Sequence, residues 1–265
     1  MCRMRSPTGC FIHKEIYLPI KRCAMEWFET WFDSEYYHKL YKNRDEKEAE
    51  RFINNLITHL QLNSASNILD LACGKGRHSI FLNKKGFKTM GVDLSPNSIS
   101  WANKFNNDNL RFEVRDMRES FCESEFDAIF NLFTSFGYFE SKTENLKVLK
   151  AIESMLIDNG VFVIDFMNAN KVIRNLVREE TKSIDSINFR LKRSYENENI
   201  VKTIDFTDKE NDFHFTEKVQ ALYLEDFQSL ISQTNLKIDS IFGDYNLNPF
   251  DKEVSDRLII VGRKG

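Results

Sequence analysis

Apolar and polar residues alternate along the chain with two different periods. Between about residues 67 and 166, apolar runs of strand length are separated by stretches of helical period, the pattern of a parallel sheet covered by helices. The first of these strands ends near Asp70. The last part of the chain forms a helix and a closing hairpin. We predict further strands at residues 88–92, 110–114, 126–132, 160–166, 236–242 and 258–262, and helices at residues 97–105, 142–156 and 225–234.

The segment before the first strand is helical. Aromatic residues recur at spacings of three and four from Trp27 to Phe32, and an amphipathic stripe follows at residues 49–60. Between them, Tyr37, Tyr41 and Arg44 have spacings that place them on one helical face. This face is either a packed aromatic surface with solvated charges or a cover over a ligand site.

Residues 181–223 interrupt the α/β alternation. Three alternating runs, FRLKRSYE, NIVKTIDFT and HFTEKVQALYL, are separated by polar turn residues. They predict three antiparallel strands that form a small sheet added to the main domain.

The stretch NILDLACGKGRH, residues 67–78, predicts a buried strand, a tight glycine turn and the start of a helix. Glycine permits the left-handed dihedral angles of such a turn and a close approach of the backbone to a ligand. The start of the helix offers unpaired N–H groups to a polar ligand. Asp70 lies four residues before Gly74, where a carboxylate would repel a diphosphate but attract an ammonium group.

Asp70-Leu71-Ala72-Cys73-Gly74-Lys75-Gly76 resembles the first motif of class I S-adenosylmethionine-dependent methyltransferases, an acid followed by three alternate glycines. Ala72 stands where the first glycine is expected. The resemblance covers roughly residues 34–263. It implies a Rossmann-like α/β fold with a seven-stranded sheet whose last strand is antiparallel, a helical N-terminal cap and a small antiparallel β lid. It also implies S-adenosylmethionine as cofactor.

Two further acids follow predicted strands in register with this motif. Asp93 ends the second strand, where an acid can accept hydrogen bonds from both ribose hydroxyls. Ser95 and Pro96 also suit the start of a helix, and Leu94 would pack on the adenine ring. By resemblance, Asp116 accepts from the adenine amine and the Met117 backbone contacts the edge of the ring.

The loop after the fourth strand, Phe133-Thr-Ser-Phe-Gly-Tyr-Phe139, resembles that of bacterial small-molecule methyltransferases with Ser-Phe-Gly-Tyr or Ser-Ile-Gly-Tyr. Such a loop emerges where ligands bind to open parallel sheets. The alternative is an aromatic plug that seals the end of the sheet. We expect Asn131, Leu132 and Phe133 near the sulfonium, and Phe136 and Tyr138 in the acceptor pocket.

Composition limits the possible partners. The formal charge of −3 and the sequence pI of about 6.0 predict no general attraction to nucleic acid. The loop also lacks the Asn/Asp-Pro-Pro-Tyr phrase of methyltransferases that act on adenine or glutamine amines. No apolar run reaches membrane-spanning length. The five cysteines have no metal-ligand spacing, so no metal site is predicted, and their odd number without a signal peptide favours the cytoplasm.

The sequence therefore divides into three parts. Residues 1–24 are a basic, cysteine-containing extension that we expect to be dispensable. Residues 25–180 and 224–265 form the methyltransferase domain, and residues 181–223 form the β lid. Oligomeric state does not follow from these patterns.

The predicted function is methyl transfer from S-adenosylmethionine to a nitrogen or oxygen of a small-molecule acceptor. Tyr138 and His214 are the candidate catalytic residues, His214 because it lies in a lid strand. The alternative is a non-catalytic S-adenosylmethionine-binding sensor or partner-binding module. Asp70 and the glycine spacing argue against a nicotinamide-dependent oxidoreductase. The predicted cofactor-binding residues are Tyr37, Tyr41, Arg44, Asp70, Leu71, Ala72, Cys73, Gly74, Gly76, Asp93, Leu94, Ser95, Asp116, Met117, Asn131, Leu132 and Phe133.

Overall fold

The computed structural model describes residues 26–42 and 46–265. The predictions for residues 1–24 and for Arg44 lie outside the described residues.

A seven-stranded sheet forms the centre of the protein. Its strands are β1 (Asn67–Leu71), β2 (Lys88–Asp93), β3 (Leu110–Val114), β4 (Phe126–Asn131), β5 (Leu156–Met167), β10 (Leu236–Phe242) and β11 (Arg257–Lys264). Their order across the sheet is β10-β11-β5-β4-β1-β2-β3. Strands β1 to β5 are mutually parallel, whereas β11 is antiparallel to both of its neighbours. The predicted sheet with an antiparallel last strand is therefore confirmed.

Several helices begin at a serine whose side chain caps the first turn. Ser95 accepts a hydrogen bond from the Ser98 N–H at 3.0 Å, and Pro96 occupies the first helical position, where its missing N–H costs nothing. Ser141 caps the next long helix through the Glu144 N–H. The helices are α1 (Trp27–Phe32), α2 (Glu35–Leu40), α3 (Glu46–Leu60), α4 (Arg77–Lys84), α5 (Pro96–Ala102), α6 (Lys142–Met155), α7 (Ala169–Arg174) and α8 (Leu224–Ile231), with a 3₁₀ turn at Asn103–Phe105.

The strand order reverses between β1 and β4. Strand β1 pairs with β2 on one side and with β4 on the other, so the loops that follow these three strands leave the same edge of the sheet side by side. In open parallel sheets this is the position at which ligands bind. The fold therefore brings the glycine turn, Asp93 and the Phe133–Phe139 loop together.

The lid is a four-stranded antiparallel sheet, one strand more than predicted. The additional strand, β6 (Glu179–Ile184), pairs with β7 (Ile187–Glu196) across a turn at Asp185 and Ser186. It was missed because it is a polar edge strand in which Glu, Thr, Lys and Ser give no apolar alternation. The sheet is completed by β8 (Asn199–Asp208) and β9 (Asn211–Gln220).

Helices α1 and α2 connect the lid to the main domain. Trp31 and Leu40 are buried against Phe189, Ile204 and Phe206 of the lid. The lid and the N-terminal helices therefore share one apolar core. Without its partner, each would expose the apolar face that is buried between them.

Within residues 26–42 and 46–265, no helix combines the length and apolar character that a membrane crossing requires.

Candidate active site

The turn after β1 has a left-handed backbone at three alternate residues. The φ angles are 65° at Ala72, 56° at Gly74 and 76° at Gly76, so alanine adopts at the first position a conformation that glycine adopts more easily. Gly74 and Gly76 are required for different reasons. A Cβ at Gly76 would lie 2.4 Å from the Phe112 ring, whereas one at Gly74 would meet nothing within 4 Å.

Gly74 lies on the wall of a cavity of about 420 Å³ at the carboxyl ends of β1, β2 and β4. Its size is in the range of small-molecule sites, and it joins a polar half beside the glycine turn to an aromatic half beneath the N-terminal helices. Twelve predicted site residues line it: Tyr37, Tyr41, Ala72, Cys73, Gly74, Asp93, Leu94, Asp116, Met117, Leu132, Phe133 and Tyr138.

Asp93 is held by the backbone on both sides of its strand end. One carboxylate oxygen accepts the Gly74 N–H at 2.7 Å, and the other accepts the Ser95 N–H at 2.8 Å. A carboxylate offers about four acceptor positions, so two remain for ligand hydroxyl groups. Burial raises the pKa of Asp93, while the backbone hydrogen bonds oppose that shift.

Asp116 is oriented by Arg118, a residue that the sequence analysis did not identify. The guanidinium group donates to Asp116 Oδ2 at 2.7 Å, and it also pairs with Glu26 and Glu144. Its carbon lies 4.6 Å from the centre of the Phe139 ring. Arg118 thus joins α1, α6 and the loop after β3, and fixes the Asp116 side chain at the cavity wall.

Six aromatic side chains line the other half of the cavity. Ring centres lie 5.0 Å apart for Phe32 and Tyr37, 5.1 Å for Phe32 and Tyr138, and 5.0 Å for Tyr37 and Tyr41. Phe28 and Phe139 complete the set. These distances are typical of interacting aromatic pairs, so Phe32, Tyr37, Tyr41 and Tyr138 form one continuous surface.

Several predicted residues support the cavity without lining it. Asp70 is buried behind the turn, where one of its oxygens accepts the Ser79 Oγ–H at 2.6 Å and the Ser79 N–H at 3.1 Å in the first turn of α4. Leu71 is in the core, and Ser95 caps α5. Asn131 is buried and donates to the Leu71 carbonyl at 3.0 Å, which ties the ends of β4 and β1 together.

Phe136 and His214 are not brought to the cavity. Phe136 is fully buried and packs against Phe227 at a ring-centre distance of 5.4 Å, because the chain turns inward before Gly137. His214 lies on an exposed face of the lid, paired with Asp205 at 2.6 Å. Alternation along β9 places its side chain on the face opposite Phe213 and Phe215, which pack toward α1 and α2.

Sequence reasoning missed several residues of the cavity wall. Arg77 and His78 follow the glycine turn directly, and their position after the motif was the available signal. Phe28 and Phe32 belong to the N-terminal aromatic period, but the spacing argument identifies only Tyr37 and Tyr41 as lining residues. Ser135 and Phe139 belong to the recognised loop, where alternation alone does not indicate which side chains face the ligand.

Comparison with known proteins agrees with this geometry. The model of a methyltransferase domain family matches residues 62–203, more than half of the chain. A glycine/sarcosine N-methyltransferase of Parasynechococcus marenigrum (strain WH8102) is 33% identical over 140 residues, covering 49% of this chain and 46% of that protein. The chain belongs to this methyltransferase family.

Two further proteins are similar to this chain. A crystal structure of an S-adenosylmethionine-dependent methyltransferase from Clostridium acetobutylicum ATCC 824 superimposes with a TM-score of 0.74 and 26% identity, covering 87% of this chain and 96% of that one. The dTDP-3-amino-3,4,6-trideoxy-alpha-D-glucopyranose N,N-dimethyltransferase of Streptomyces venezuelae is 31% identical over 101 residues, 38% of this chain and 42% of that protein. The chain thus spans less than half of the length of the Parasynechococcus marenigrum and Streptomyces venezuelae proteins that it matches.

The cavity fits S-adenosylmethionine, the cofactor of this family. Open space above Gly74 lets a ligand approach the backbone. Asp93 retains acceptor positions for hydroxyl groups, and Leu94 and Met117 offer apolar surface beside it. Among the described residues, no group of three or more His, Cys, Asp or Glu side chains is arranged to hold a metal ion.

Asp70 makes the stability of the protein depend on pH. Burial raises the pKa of Asp70 to about 6, against the opposing hydrogen bonds from Ser79. Since the folded state binds this proton more tightly than the unfolded state, the contribution of Asp70 is full below about pH 4 and is lost as the pH rises through about 6. The displacement from the ordinary value of 3.8 corresponds to about 3 kcal/mol.

Asp70→Asn is therefore expected to gain unfolding free energy relative to the wild type between about pH 4 and pH 7, by up to about 3 kcal/mol. Asparagine retains an oxygen that can accept from Ser79, so the helix start is preserved. Urea unfolding at several pH values measures the difference between the two proteins. Parallel pH curves would show that Asp70 ionises in the folded state as easily as in the unfolded chain.

Proposed function

We propose that the protein transfers the methyl group of S-adenosylmethionine to an amine nitrogen of a small molecule. The observation that carries this proposal is the continuity of the cavity, in which the aromatic surface directly adjoins the polar half beside the glycine turn. The relatives named as glycine/sarcosine and amino-sugar N-methyltransferases support a small amine as acceptor. The Ser135-Phe-Gly-Tyr138 loop, which resembles that of bacterial small-molecule enzymes, supplies part of the aromatic surface.

In this proposal, the polar half of the cavity binds the cofactor. Asp93 accepts the ribose hydroxyls, while Asp116 and the Met117 backbone contact the adenine ring. Leu132 and Phe133 lie near the reactive end, and Tyr37 and Tyr41 cover it. Asp70 acts from behind the turn by holding the start of α4 through Ser79.

When bound, S-adenosylmethionine supplies an activated methyl group on a positively charged sulfur. The residues of the chain then have three tasks: to align the acceptor, to exclude water and to stabilise charge. An amine nitrogen gains positive charge as it forms its fourth bond. The faces of Phe32, Tyr37 and Tyr138 favour such a charge, because aromatic rings attract cations.

Tyr138 is the candidate catalytic residue that lines the cavity. Its ring contacts Trp27 at 5.8 Å and Phe32 at 5.1 Å, so helix α1 fixes its orientation. We propose that its hydroxyl group orients the N–H of the acceptor. This task requires no ionised tyrosine.

A screen of paired acceptors tests the proposal. Each amine is offered together with its hydroxyl analogue, such as glycine with glycolate and an amino sugar nucleotide with the corresponding alcohol, using S-adenosylmethionine labelled in the methyl group. We expect label in the amine products and at least tenfold less in the alcohols. Transfer to the alcohols alone would contradict the assignment of an amine. Tight cofactor binding without transfer to any pair would favour a sensor instead.

A further inference from the structure

Two consecutive non-glycine residues, Phe133 and Thr134, adopt the left-handed conformation in the loop that follows β4. The φ angles are 59° at Phe133 and 60° at Thr134. For residues with a Cβ, this conformation costs roughly 1–2 kcal/mol each. It persists only where the surrounding structure determines it, and such strain is concentrated at functional sites.

Asp165 of β5 holds both residues in this conformation. Its carboxylate accepts the Phe133 N–H at 2.8 Å, and its own backbone carbonyl accepts the Thr134 N–H at 2.9 Å. The Asp165 side chain is completely buried. One residue therefore supplies acceptors to two successive strained amides.

Arg257, the first residue of β11, completes the arrangement. Its Nε–H donates to Asp165 Oδ1 at 2.7 Å, and its Nη2 donates to Thr134 Oγ1 at 2.9 Å. The Tyr245 hydroxyl donates to Asp165 Oδ2 at 3.3 Å. Asp165 lies in β5, Arg257 begins β11 and Tyr245 lies in the loop before β11. All three are far in sequence from Phe133 and Thr134, yet they meet at that turn.

The turn places the Phe133 ring on the cavity wall. The ring stacks on His78 with centres 4.9 Å apart and planes 20° apart, and the Arg77 guanidinium carbon lies 4.7 Å from its centre. Tyr245 contacts the same ring at 5.3 Å. The position of Phe133 is therefore set by its strained backbone and by neighbours that follow the glycine turn.

We propose that Asp165 and Arg257 are positioning residues for methyl transfer: they hold Phe133 and Thr134 in the left-handed turn that presents Phe133 at the reactive end of the cavity. This inference rests on the proposed function. Ion pairs in the interior are often no more stabilising than apolar residues of the same size. The Asp165–Arg257 pair contacts two strained residues, so it restrains the turn in addition to joining β5 to β11.

Thr134→Gly separates positioning from stability. Glycine adopts φ near 60° without steric cost, but it adopts other conformations as easily, and the variant loses the Oγ1 acceptor for Arg257. The turn is then less firmly held although its strain is released. We expect a melting temperature within about 4 °C of the wild type. We also expect the ratio of S-adenosylmethionine to S-adenosylhomocysteine affinity to fall by about fivefold, because these two ligands differ at the methyl-bearing sulfur that Phe133 would contact.

Ser124→Gly is the matched control. Ser124 also has a hydroxyl group and a positive φ, 48°, but it is exposed and precedes β4 at the opposite edge of the sheet. Its replacement should leave the affinity ratio unchanged. Arg257→Lys, which keeps the charge but loses the planar two-way donation, should lower the ratio in the same direction as Thr134→Gly.

The outcomes distinguish this inference from the proposed function. If the wild type binds both ligands and transfers methyl groups, but Thr134→Gly and Arg257→Lys keep the wild-type ratio, then Asp165 and Arg257 only join the strands and the inference fails. If the wild type binds neither ligand, the proposed function itself fails. A lower ratio in both variants, with Ser124→Gly at the wild-type value, supports positioning.

Discussion

Asp93→Ala is expected to lower the affinity for S-adenosylmethionine by at least tenfold. Two ribose hydroxyl groups would each lose a hydrogen bond to a charged acceptor, worth about 1.5–3 kcal/mol. The substitution also removes the acceptor of the Gly74 and Ser95 N–H groups, which shapes the glycine turn from the side of β2. Calorimetric titration of both proteins with the cofactor measures the difference.

Asp127→Ala is the control for this measurement. Asp127 is also a partly exposed acid that accepts a backbone N–H, from Asn67 at 2.7 Å, but it lies at the amino end of β4, across the sheet from the cavity. We expect it to affect stability without changing cofactor affinity. Equal affinities of Asp93→Ala and the wild type would remove the assigned role of Asp93.

Glu217→Ala is expected to lower the rate of methyl transfer by about a hundredfold or more. Glu217 projects from the lid and accepts hydrogen bonds from the Trp31 indole at 2.7 Å and the Tyr41 hydroxyl at 2.8 Å. It also pairs with Lys202, which itself contacts the Tyr41 hydroxyl. Burial lowers the pKa of Lys202 while Glu217 opposes that shift, so removal of Glu217 leaves an unpaired buried amine beside Tyr41.

Cofactor affinity should fall by less than tenfold in Glu217→Ala, because Asp93, Asp116 and the glycine turn lie outside the lid. Stability should also fall, by about 3–5 kcal/mol. The double variant Lys202→Met with Glu217→Leu removes both charges and should recover much of the stability without recovering transfer. Recovery of both would show that the pair is structural only.

His214→Ala is the control for Glu217→Ala, because it removes a side-chain pair from the exposed face of the lid. His214 and Asp205 form an exposed pair, of the kind that contributes little to stability. Because the structure places it away from the cavity, we expect its loss to leave methyl transfer unchanged. A large loss would restore His214 as a catalytic candidate.

Complete removal of residues 181–223 is a poorer experiment than these substitutions. The lid shares its core with α1 and α2, so its loss would expose Trp31 and Leu40 and release Tyr37 and Tyr41 from the cavity wall. A loss of cofactor binding would then have two causes. The single variants change one contact at a time.

The polar half of the cavity follows from the sequence because its residues are local to strand ends. Asp93 and Asp116 each come at or just after a short apolar run, and Gly74 lies in the turn after another. Parallel pairing of β1 with β2, and of β2 with β3, then brings these residues to one edge of the sheet. Little besides the strand order is needed to bring them together.

The other half depends on backbone angles that spacing does not show. The left-handed residues Phe133 and Thr134 change the direction of the chain, so Phe136 enters the core while Tyr138 reaches the cavity. The contacts of Asp165 with Arg257 and of Trp31 with Glu217 join residues 92 and 186 positions apart. No periodicity predicts such pairs, and β6 was missed because its side chains are polar.

A crystal structure with S-adenosylhomocysteine tests the account most directly. We expect the ribose hydroxyls within hydrogen-bond distance of the Asp93 carboxylate, the adenine beside Asp116 and Met117, and the sulfur facing Phe133 and the aromatic surface of Phe32, Tyr37 and Tyr138. A nucleoside bound elsewhere, or a sulfur directed away from the aromatic surface, would contradict the proposed site.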